Sequence, residues 1–136
     1  MTYKEKKETL EGYSSSVKRI VCLQRELEQW HTISTGITQK ISPVIVNTND
    51  NNSKVESCAI KCAEIEELIL NEIKTAEHNR DQVNKIIEGV RDIRKRDLLT
   101  MRYINNVSVR KIAILYDADV NSIYKQLRRT ITSLNI

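Results

Sequence analysis

Three glycines and a single proline among 136 residues leave this chain few means of reversing direction sharply. A β-sandwich or barrel needs frequent turn residues and bulky strand formers, and phenylalanine is absent altogether. An all-α fold remains. With one Trp and five Tyr as its only aromatics, the core must rest on Ile, Leu and Val. Charged residues at 29% beside 40% hydrophobic ones exclude both a disordered tail and a membrane protein.

Apolar residues then show how the helices lie. Leu10, Tyr13, Val17, Ile20, Leu23, Leu27 and Trp30 recur every three or four positions, a single helical stripe. Periodicity fades over residues 31–53, which hold Gly36, Pro43 and the polar run from Asn47 to Ser53, so this stretch reads as a flexible linker. Within it, Val44, Ile45 and Val46 suit a short strand, but a lone strand is marginal, and a loop packing one apolar edge is the better reading. A second stripe runs Val55, Ala59, Cys62, Ile65, Ile69, Ile73, Ala76, Val83, Ile86, Val90. It predicts one long helix to about Arg91, with Arg80 in a core position and a kink near Asn79. Two such helices hide their stripes by pairing as a coiled-coil-like antiparallel hairpin, or by pairing with a second copy.

Charge is uneven. Residues 92–136 hold nine bases against four acids, a balance of +5, whereas the first 91 residues hold 13 bases and 14 acids. A basic end on a neutral chain is the footprint of a phosphate-binding module, and equally a solvated surface with excess Lys and Arg. The longest apolar run, from Ile112 to Tyr116, is far too short to cross a bilayer, and no apolar block follows Met1 to Lys7 to act as a secretory signal. Cys22, Cys58 and Cys62 lack a framework spacing and suit a reducing compartment. The expected location is the cytoplasm.

The last third changes character. Helical signals at residues 96–104, 108–116 and 119–136 are short and separated by Asn105-Asn106 and Asp117-Ala118. Ser108 and Asp119 are positioned as N-caps. Ile112, Ala113 and Tyr116 share one face of the middle segment, and Ile123 and Leu127 point inward from the last. Two short helices crossing steeply over a tight turn need a small residue between them, and Ala113 supplies it. The pattern is a three-helix helix-turn-helix unit over residues 92–136, after a helical region over 1–91. Projecting from the final helix are Val120, Asn121, Tyr124, Lys125 and Arg128, residue types that suit the major groove. Arg110, Lys111 and Arg129 flank them as phosphate contacts or as plain surface charge.

The string from Arg96 to Ile104, then Ser108, Lys111-Ile112-Ala113 and Ile123 to Arg129, resembles the fourth region of bacterial sigma factors, which binds the −35 promoter element. Together with the helical first half, the chain resembles small phage-encoded late-gene activators of the ArpU and RinA type. Asp117 and Asn106 depart from that pattern, standing where related sequences carry Gly. The resemblance implies a sequence-specific regulator in a bacterial host cell, on the nucleoid when bound. It would act on double-stranded DNA with RNA polymerase, the helical half serving self-association or polymerase contact.

Two other readings fit the same pattern: a small-terminase-like DNA-packaging subunit, and a coiled-coil interaction protein whose basic end binds an acidic partner. Cys58 and Cys62 stand one turn apart, but His31, His78 and Cys22 are not spaced to complete a zinc site, so core or surface thiols are expected and no metal. Glu64, Glu66 and Glu67 form an acidic patch on the long helix, by default a solvated face. No phosphate loop, catalytic triad or carboxylate cluster is present, so neither cofactor nor enzymatic activity is expected.

Overall fold

The computed structural model describes residues 1–41 and 48–136, with side chains described outside residues 37–52. Among the described residues five α-helices follow in order: α1 (Tyr3–Ile41), α2 (Thr48–Glu88), α3 (Ile93–Leu99), α4 (Val109–Leu115) and α5 (Val120–Thr132). A π-helical turn (Thr100–Ile104) continues α3. No strand occurs among the described residues, and α1 and α2 pack against each other as the expected long hairpin. The segment from Val44 to Val46 lies outside the described residues.

α1 extends beyond its stripe at both ends, and α2 starts earlier than its stripe. At its start α1 has a reciprocal capping box, in which the Glu5 N–H donates to Thr2 Oγ1 (3.3 Å) and the Thr2 N–H donates to Glu5 Oε2 (2.7 Å). The Thr2 N–H, then the Thr2 hydroxyl, hold the exposed Glu5 carboxyl below the usual carboxylate range. The expected linker over 31–53 is helical through Ile41 and again from Thr48. Polarity alone did not break the helix: inside it Thr32 and Thr35 donate their hydroxyls to the Glu28 and His31 carbonyls, each at 2.9 Å.

The contacts group the chain into two compact units, residues 18–74 and residues 1–17 with 75–136. In the unit of residues 18–74, Cys58, Cys62 and Ile65 are buried, whereas Ala59 and Ile73, expected in the stripe, are exposed. An unbroken alternation of three and four residues instead brings Cys58 and Glu72 into the seam. Glu72 lies 3.8 Å from the Arg19 guanidinium, and its Oε1 is buried with no hydrogen-bond partner. Cys62 Sγ stands 4.0 Å from His31 Nδ1, and Cys22 is exposed.

In the other unit, the same alternation brings in Asn79, the site of the expected kink. Here α2 runs on without interruption, and Asn79 Nδ2 donates to Ser16 Oγ (3.0 Å) and Gly12 O (3.3 Å). Arg80 is not a core residue. It is exposed, with its guanidinium carbon 5.8 Å from the centre of the Tyr13 ring.

One core fills this unit. Leu10 of α1 and Val83 and Ile87 of α2 join Leu98, Leu99, Tyr103, Val109, Ile112, Ala113, Ile123, Leu127, Ile131 and Leu134. Leu10, Leu99, Ile112, Ile123 and Val83 are fully buried, each contributing about 1.5–3 kcal/mol by leaving water. The chain leaves α2 at Glu88, earlier than the expected Arg91, and the Arg96 guanidinium covers the freed carbonyl of Val90 (2.7 and 3.0 Å). Asp92 then caps α3 by accepting from the Arg94 N–H at 2.9 Å, which starts that helix three residues before the expected Arg96.

Candidate nucleic-acid interface

Two tight turns shape the site. After α4, the Ala118 N–H donates to Ala113 O (2.8 Å) and the Asp117 N–H to Ile114 O (3.2 Å), with Asp117 at φ 48°. This is a Schellman closure, which requires a left-handed residue just past the helix cap. Asp117 fills the place where glycine is usual. Asn106 does the same after the π-helical turn, at φ 53°, with its Oδ1 accepting from the Ser14 hydroxyl at 3.2 Å. Asn and Asp enter this region more readily than other side chains do.

The two expected caps behave differently. Ser108 Oγ accepts from the Lys111 N–H at 3.3 Å and so caps α4. Asp119 has the extended backbone of an N-cap, but its carboxylate makes no capping bond. α5 therefore starts through backbone geometry and the burial of its apolar edge. Ala113 is 3% exposed in the core that α4 shares with α5, as expected of a small residue between crossing helices.

Ile123 and Leu127 are buried beneath α5, joined by Thr130 and Ile131. The opposite arc presents Asn121, Tyr124, Lys125, Arg128 and Arg129, all exposed. Arg110 and Lys111 are exposed in the first turn of α4. Val120 is the exception among the expected contact residues. It is half-buried against the core, because its spacing of three and seven residues from Ile123 and Leu127 places it at the edge of the inward stripe.

Sequence reasoning missed how α1 reaches this helix. The guanidinium carbon of Arg128 lies 5.1 Å from the centre of the Tyr3 ring, a cation–π contact that leaves the charge exposed. Lys6 Nζ donates to the carbonyls of Leu134 (2.7 Å) and Thr132 (3.0 Å), satisfying the end of α5. The Thr2-x-x-Glu5 signature could have placed the start of α1 at Tyr3, but nothing local points to its docking on α5.

No group of three or more His, Cys, Asp or Glu residues is placed to hold a metal among the described residues. Nor is any described helix long and apolar enough to cross a membrane. Comparisons with protein-family models, curated proteins and solved structures returned no match.

Proposed function

We propose that the chain binds double-stranded DNA in a sequence-dependent way, with α5 lying in the major groove. The observation that carries this reading is the sorting of α5: Ile123 and Leu127 are buried, while Asn121, Tyr124, Lys125 and Arg128 stand out on the opposite arc. Asn offers the paired donor and acceptor that adenine matches, and Lys and Arg donate to guanine or phosphate. Arg129, Arg110 and Lys111 fix register on the backbone without reading sequence. The resemblance to phage late-gene activators extends the proposal to transcription activation beside RNA polymerase.

The test begins with selection of duplexes from a random-sequence pool by the full chain. Anisotropy titrations then compare an enriched duplex with its scrambled counterpart at equal salt. A preference of about 10³ or more is the expected result, and equal affinities overturn sequence reading. Arg128→Ala should lower the slope of log affinity against log salt by about 0.9. Light scattering that finds a ring of many copies would replace the regulatory reading with a packaging one.

A further inference from the structure

We infer that a second basic surface, running from the flank of α5 to the junction of α2 and α3, is a track for the phosphate backbone of the same duplex. This rests on the DNA-binding reading and adds bases from outside α4 and α5, two of which, Lys85 and Arg91, precede the helix-turn-helix unit. A cleft of about 380 Å³ lies between α3 and α5, lined by Arg94, Lys95, Gln126 and Arg129 above Leu98. A second cleft of about 560 Å³ adjoins it through Lys95 and adds Lys85 and Arg91. The five bases Lys85, Arg91, Arg94, Lys95 and Arg129 are all exposed. Among the described residues Asp92 is the one acidic side chain lining the clefts; one of its carboxylate oxygens accepts the Arg94 N–H at 2.9 Å, and its single negative charge faces five positive ones.

No carboxylate is paired with these five bases among the described residues. The ion pairs there are Lys7–Glu11, Arg19–Glu72 and Lys61–Glu64, and none involves the clefts. Arg94 is steadied by the Tyr116 ring, 5.4 Å from its guanidinium carbon, which fixes its direction and leaves its charge available. Arg96, in the same run, is spent on the Val90 carbonyl and takes no part. The clefts also continue the proposed interface. Asn121, Lys125 and Arg129 form one row at intervals of four on α5, and the row ends in the first cleft at Arg129. A strand leaving the groove read by α5 meets Arg129, then Lys95, then Arg91 and Lys85.

The test uses the full chain carrying Lys85→Gln, Arg91→Gln and Lys95→Gln together, titrated with the enriched and scrambled duplexes between about 50 and 200 mM salt. Three lost phosphate contacts should lower the salt slope by about 2.7, so that the wild type loses about 40-fold more affinity across that range than the variant. The preference for the enriched duplex should stay unchanged. A matched variant, Lys18→Gln with Lys61→Gln and Lys74→Gln, should keep the wild-type slope. A full slope in the first variant, or an equal fall in the matched one, overturns the track. Lys95→Glu alone decides the matter should the triple variant fail to fold, its weakened binding supporting the track and unchanged binding opposing it. If the wild type binds no duplex, the DNA-binding reading falls as well; if it binds selectively and the first variant keeps its slope, only the track falls.

Discussion

Replacing Ala113 by Leu tests the crossing of α4 and α5 directly. Ala113 is 3% exposed, and its carbonyl accepts the Ala118 N–H that closes the turn at 2.8 Å. Leu adds three carbons to a core that also holds Ile112 and Ile123, both fully buried, so the added volume must come from shifts of the helices themselves. Overpacking of this kind costs about 1–3 kcal/mol. For a cooperative unit of about 60–100 residues each kcal/mol lowers the melting temperature by about 4–8 °C, so a fall of about 4–24 °C is expected.

The neighbouring residue supplies the control. Ile114 is 74% exposed on the same helix, and Ile114→Ala should change stability by no more than about 0.5 kcal/mol. Calorimetric melts of the wild type and both variants read the comparison, with heteronuclear amide spectra reporting whether α5 keeps its packing. If Ala113→Leu melts with the wild type, or if Ile114→Ala costs as much, the two helices do not cross at Ala113 and the arc assigned to α5 loses its support.

Three further outcomes follow from the same core. Burial first, with the Glu11 charge adding to it, pushes the Tyr103 phenol up to about 12 from an ordinary 10. The folded state therefore holds this proton more tightly, giving stability that is complete below pH 10 and lost as pH rises through 12; about 2–3 kcal/mol of alkaline decline should vanish in Tyr103→Phe, and an equal decline in both proteins would refute the cause. A double-mutant cycle of Tyr3→Ala with Arg128→Ala should show coupling of about 0.5–1 kcal/mol in stability, and strict additivity would mean that the ring and guanidinium do not interact. A fragment of residues 92–136 should melt without cooperativity, because Leu10, Val83 and Ile87 of its core are missing; a sharp transition in that fragment would contradict the shared core.

What the sequence made legible was local. Stripes at helical spacing gave the hairpin, Ser108 gave the start of α4, and Ile123 and Leu127 gave the inward side of α5. Asn106 and Asp117, unusual at their turn positions, both have the positive φ those turns require. The errors came from reading hydrophobicity without register. Ile73 is the more apolar choice, yet continuing the alternation through Ile65 and Ile69 leads to Glu72, and Val120 stands on the row of Ile123 and Leu127. Polar composition similarly hid the helical stretch around Thr32 and Thr35, whose hydroxyls satisfy carbonyls inside the helix.

The compact unit that holds α5 also takes in residues 1–17 and 75–91, which bears on how α5 is held. Lys6 bonds the carbonyls of Thr132 and Leu134 at the end of α5 across more than 120 residues, Ser14 bonds the left-handed Asn106 across 92, and Tyr3 stacks on Arg128. No local pattern encodes such contacts, because each needs the hairpin to return before its partners meet. Their consequence is that the first turns of α1 are part of the support of α5: they satisfy its end, hold one of its arginines and brace the turn before α4. Substitutions at Tyr3 or Lys6 therefore act on the exposed face of α5 from the far end of the sequence, and the helix-turn-helix is built into the hairpin that precedes it.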